Sequence, residues 1–160
     1  MLRILAAVTA IAVGATAVYA QNADAIKQRR EVMRTIVKSG TGDVFKMTKG
    51  ELPFDLAKVQ AVVKAVEDNA PKFKALFPDD SKTGLTDAQP KIWAARAEFN
   101  AVIDKWTADA KAAGAAIKDE ATFKAEYGKV GGGCGGCHKA ADGFAPGLGD
   151  SFKKMQTPLQ

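Results

Sequence analysis

The chain predicts an all-α fold, an antiparallel bundle of four helices. Three observations carry that expectation. Apolar residues recur at helical intervals and almost never alternate strictly. The periodic stretches form four segments, separated by connections rich in Pro, Gly and Asp. Setting aside an N-terminal export segment of 20 residues leaves 140 of the 160, a length that suits one domain with its own core.

The export segment is residues 1–20. Arg3 gives a short positive start, Ile4 to Val18 is apolar, and Val18-Tyr19-Ala20 puts small residues at the two positions signal peptidase reads. Cleavage is predicted between Ala20 and Gln21, leaving 21–160 as a single domain. The run is shorter than the ~20 apolar residues that cross a bilayer. No later stretch is apolar enough to span, so no membrane anchor is expected after processing.

The first helical segment covers Asn22 to Lys49, with Ile26, Met33, Ile36, Val37, Val44 and Met47 near one stripe. Gly40 and Gly42 predict a bend or break in it, and Gly50 a stop. The second follows Pro53, with Asp55 as cap and Leu56, Val59, Val62, Val63 and Val66 facing inward. Pro71 ends it near Asn69. A short turn over Lys72 to Phe77 is expected to tuck Phe73, Leu76 and Phe77 onto the bundle. Pro78 to Gln89 reads as a connection, and Pro90 as the first residue of the third segment. Ile92, Trp93, Ala97, Phe99, Ile103, Trp106 and Ala110 give that segment its period, and Gly114 is expected to end it. Both tryptophans are read as core. Asp119 caps the fourth segment, where Phe123, Tyr127 and Val130 lead to Cys134. Gly143, Pro146, Gly147 and Gly149 then mark loop.

Formal charge is +5, or +4 without Arg3. Cations and acids are interspersed, and no basic block of the kind nucleic acid requires is present.

The chemistry is concentrated in Cys134-Gly135-Gly136-Cys137-His138, which holds both cysteines and the single histidine of the chain. The spacing C-x-x-C-H is the attachment signature of a c-type haem. Each thiol forms a thioether to a porphyrin vinyl group, and the adjacent histidine is placed as the proximal iron ligand. Competing readings fit less well. A disulfide here would close a very small loop, a thioredoxin-like pair belongs in a βαβ setting, and zinc wants four ligands where three are offered. Gly128, Gly131, Gly132, Gly133, Gly135 and Gly136 crowd the same segment at roughly 1 kcal/mol each against Ala. The expectation is that they let a flat macrocycle lie against the backbone.

Taken together, bundle and late haem motif resemble the class II c-type cytochromes, the cytochrome c prime family with its low-spin relatives. The resemblance runs through Ile26-Lys27-Gln28-Arg29-Arg30-Glu31-Val32-Met33, Lys49-Gly50, Phe54-Asp55, Leu76-Phe77-Pro78, Pro90-Lys91-Ile92-Trp93, Ile117-Lys118-Asp119-Glu120 and the haem motif. It implies an up-down-up-down bundle carrying one covalent haem c on Cys134 and Cys137, with His138 as proximal ligand. It also implies a propionate contact for Arg29 and a distal position for Met33, which binds iron in low-spin members and only shields it in high-spin ones. Met47 and Met155 are weaker candidates for that role. Dimerisation through the first helix is common in such proteins. One departure stands out: Asp142 occupies a place where a basic residue is usual after the haem histidine, unless Phe144 marks a shifted register.

Two functions follow from the resemblance. With Met33 on iron, the protein is a periplasmic carrier of single electrons between periplasmic or membrane-bound redox proteins; Lys139, Lys153 and Lys154 read first as solubilising surface charge and second as a bias on docking. With Met33 off iron, it is a five-coordinate site for nitric oxide or carbon monoxide. An enzyme is not expected, because the single histidine is committed and no acid–base constellation accompanies it.

Overall fold

The computed structural model describes residues 23–139 and 142–148. The predicted signal segment, Lys153, Lys154 and Met155 lie outside the described residues. Among these residues the regular structure is helical, joined by turns and connections, and the one bridge of β type links His138 to Ala145.

The first segment is broken where its glycines predict. Helix α1 covers residues 23–36. A π-helical turn over Val37–Thr41 follows, with Gly40 at φ 114°, and α2 continues over Gly42–Thr48. The Thr41 hydroxyl donates to the Ile36 carbonyl at 2.8 Å and the Ser39 hydroxyl to the same oxygen at 2.6 Å, so side chains reinforce the wider turn. Helix α3, Leu56–Asn69, starts at Asp55, whose carboxylate accepts from the Lys58 amide at 3.1 Å. Its valines at 59, 62, 63 and 66 are all buried.

The expected turn before Phe77 is a 3₁₀ helix over Ala70–Leu76, and the next connection contains a second one, Asp79–Lys82. Pro90 caps a single turn, α4, over Lys91–Ala94. The chain kinks at Ala95 and enters α5, Arg96–Ala116. Gly114 therefore does not end the third segment. It lies within α5, where a Cβ would come 3.2 Å from Val63, so the small residue lets α3 and α5 approach closely. Helix α6 runs Glu120–Cys137 from a capping box of Asp119 and Thr122. With α1 and α2 counted as one broken helix, α3, α5 and α6 complete the bundle of four.

Two apolar clusters are joined by these helices. The larger centres on Val44, Val59, Val62, Val63, Val66, Ile117, Phe123 and Val130. The smaller is Phe77, Ile92, Phe99, Ile103 and Phe144. Members of both, Ile36 and Trp106 from one and Phe77, Phe99 and Phe144 from the other, line a single cavity of about 780 Å³. The functional residues meet there.

Candidate haem site

Helix α6 delivers the two thiols. Cys134 and Cys137 are three apart on its last turn, so both fall on one face, and both line the cavity. Burial pushes each thiol up to about 11, with Cys134 adding to the push on Cys137. His138 caps the helix and turns its side chain into the same space. Its Nδ1 lies 2.8 Å from the Pro146 carbonyl oxygen. A carbonyl only accepts, so Nδ1 carries the proton, and Nε2 is the nitrogen of that tautomer with a lone pair to give to a metal. Burial lowers the imidazole's pKa, partly opposed by the Pro146 bond, which favours the neutral ring a metal needs.

The loop that supplies Pro146 folds tightly back over the helix end. The Cys137 carbonyl accepts from the amides of both Phe144 and Ala145, at 2.9 and 3.1 Å. A Cβ on Gly143 would lie 2.5 Å from the Lys139 nitrogen and 2.7 Å from the Cys137 oxygen, both backbone atoms, so no larger residue fits this crossing. Phe144 is buried and packs edge-on against Phe99 at 5.2 Å. Asp142 is exposed and is not among the residues lining the cavity. The aromatic residue under the haem motif is therefore Phe144.

Met33 reaches the cavity from α1, along with Ile36 and Val37 at the start of the π turn and Phe45 from α2. Met47 is buried in the larger core cluster, away from the cavity lining. Trp106 has two roles. It is core, as its period implies, and it also forms cavity wall, with its indole N–H donating to the Val130 carbonyl at 3.0 Å.

Arg29 lines the cavity but is buried, not a solvated helix cation. Its guanidinium donates to the Leu76 carbonyl at 3.3 Å, to the Ser81 hydroxyl at 3.1 Å and carbonyl at 3.2 Å, and to the Thr86 hydroxyl. It also stacks over Phe77 at 4.8 Å. Burial, then the neighbouring Arg30, lowers its pKa to about 10. Arg30 donates to the Leu85 carbonyl at 2.7 Å, so two consecutive arginines tie residues 76–86 to α1 at the cavity rim.

The glycine-rich end of α6 is only partly what its sequence suggests. The close approach is at Gly133, where a Cβ would lie 2.2 Å from Trp106. Positions 128, 132 and 135 have no protein atom within 4 Å of such a Cβ. The tight contact is thus an indole against the helix backbone.

The cavity fits a haem by its walls and its donors. Protein interiors are close-packed, so an apolar-walled pocket of this size is room for a large group and not ordinary packing. The chain is shaped around a large, mostly apolar group that meets two thiols, one imidazole and several guanidinium groups. Among the described residues no cluster of three or more His, Cys, Asp or Glu is placed to hold a bare metal ion.

Fold and site together define a four-helix c-type haem protein. The sequence profile of the family described as Cytochrome C' matches residues 24–140. Cytochrome c' of Rhodopseudomonas palustris is 45% identical over 116 residues, covering 72% of this chain and 79% of that protein. Cytochrome c-556 of the same organism is 34% identical over 149 residues, covering 87% and 95%. A solved structure of cytochrome c' from R. palustris superposes with a TM-score of 0.67 at 44% identity, covering 72% of this chain and 92% of that one. The chain belongs to the cytochrome c' family, and its cofactor is haem c with its iron.

Proposed function

We propose that the protein is a periplasmic carrier of single electrons in which Cys134 and Cys137 hold the haem, His138 is the proximal ligand through Nε2, and Met33 is the distal ligand. The observation that carries this reading is that Met33 and His138 line one apolar cavity while coming from the first and the last helix of the bundle, α1 and the end of α6. When bound, the haem would supply a one-electron ferric/ferrous couple, whose potential ligation by the Met33 thioether and His138 would raise.

The chain's own residues do the rest. Pro146 fixes the imidazole tautomer. Ile36, Val37, Phe45, Phe77 and Phe99 wall the site with apolar surface and exclude water. Arg29 and Arg30 hold the rim, and Arg29 is the proposed propionate contact. Redox partners in the periplasm or its membranes dock at that rim. Residues 1–20 act as the export signal, removed after Ala20, and no catalytic role accompanies the haem.

The visible spectrum of the ferric protein tests the ligand set. A weak far-red sulfur-to-iron charge-transfer band, lost in Met33→Ala, is expected. A high-spin ferric spectrum in the unaltered protein would instead make the site a five-coordinate binder of nitric oxide or carbon monoxide.

A further inference from the structure

We propose that Lys91 is a positioning residue for the iron-ligand loop, acting through Phe144 on the hydrogen bond that orients His138. Lys91 belongs to α4, far from the haem motif in sequence, yet its ammonium group makes three contacts beside it. It lies 4.9 Å from the centre of the Phe144 ring, donates to the Asp142 carbonyl at 3.3 Å, and pairs with Glu98 at 2.9 Å. A cation over an aromatic face is attracted by the ring's quadrupole. Glu98, on the first turn of α5, anchors the ammonium against the bundle.

The loop is gripped from both sides. On one side the Cys137 carbonyl accepts from Phe144 and Ala145. On the other, Lys91 holds the Phe144 ring, and the Gln89 amide donates to the Phe144 carbonyl at 3.0 Å. Two residues further on, Pro146 presents its carbonyl to His138 Nδ1. The strength of that bond sets how basic the ligating imidazole is, and a more basic imidazole favours ferric iron. Lys91 therefore acts on the reduction potential by holding a backbone segment, in addition to any direct effect of its charge.

The two effects have opposite signs, which makes the idea testable. Removing a nearby cation favours ferric iron and lowers the potential. Loosening the loop weakens the Nδ1 bond, makes the imidazole less basic and raises it. The variants are Lys91→Met, Lys91→Arg and Phe144→Leu. The last keeps the lysine charge and removes the ring face. Two readouts are taken on haem-loaded protein: the reduction potential, and amide hydrogen exchange at Phe144 and Ala145. Positioning predicts exchange about fivefold to tenfold faster at Phe144 and Ala145 in Lys91→Met. It predicts faster exchange and a higher potential in Phe144→Leu, where the lysine charge is kept, and near-native behaviour in Lys91→Arg. Unchanged exchange in Lys91→Met, or a potential in Phe144→Leu that falls or stays put, overturns the proposal. The inference rests on His138 as iron ligand. Failure of that reading shows separately, as an unaltered protein without a histidine-ligated haem spectrum.

Discussion

Replacing Gly133 by alanine should destabilise the protein, although alanine is the better helix former. The new Cβ would lie 2.2 Å from Trp106 Cδ1, 2.7 Å from Cγ and 2.8 Å from Nε1. The indole cannot slide away freely, because it is buried and its N–H is bonded to the Val130 carbonyl at 3.0 Å. Overpacking of this kind costs about 1–3 kcal/mol, and losing the indole hydrogen bond adds about 1 kcal/mol. Helix propensity returns about 1 kcal/mol. The net expectation is a loss of about 1–3 kcal/mol. Gly132→Ala is the control. That position is exposed with no atom within 4 Å of its Cβ, so the propensity gain of up to about 1 kcal/mol stands alone. The assay is guanidinium unfolding of the haem-loaded proteins, followed by far-ultraviolet circular dichroism. Should Gly133→Ala unfold at the same or higher denaturant than Gly132→Ala, the claim that the glycine run accommodates Trp106 is wrong.

Arg29→Lys keeps the charge but cannot reproduce a forked guanidinium serving Leu76, Ser81 and Thr86. A stability loss of about 2–3 kcal/mol is expected, with faster proteolysis in residues 76–86; a loss under about 0.5 kcal/mol would show that the connection is held by other means. The Asp119 carboxylate is kept below its ordinary 3.8 by the Thr122 backbone amide first and the Thr122 hydroxyl second. A depressed folded value means that its stabilisation is complete above that ordinary value and is lost as pH falls through the folded one. Asp119→Asn should therefore flatten the acid limb of the stability curve, and unfolding midpoints between roughly pH 2 and 5 check this.

Much of this organisation is legible in the chain. Helical periodicity places α3, α5 and α6, because each buries one continuous apolar stripe. The cap residues Asp55 and Asp119 accept from the backbone amides three positions on, as local chemistry requires. The cysteines and the histidine are contiguous, so no folding knowledge is needed to bring them together. What is not legible depends on contacts between distant segments. Gly114 carries the mark of a helix end, but packing against Val63 keeps the helix going to Ala116. Arg29 is singled out in sequence only through the resemblance, as a propionate contact; its role in bracing the 76–86 connection shows only when that connection is folded over it. The proximal loop is the clearest case. Asp142 draws attention in sequence because it sits where a cation is usual, and in space it is exposed. A cation that does rest on the proximal loop is Lys91, which comes from α4 and lies over Phe144. A sequence signal for this loop does exist in Gly143-Phe144-Ala145-Pro146. The glycine permits the backbone crossing, the aromatic ring anchors it, and the proline carbonyl meets the imidazole. Each residue has an ordinary loop reading on its own, and only the bonds to Cys137 and His138 join them into one device.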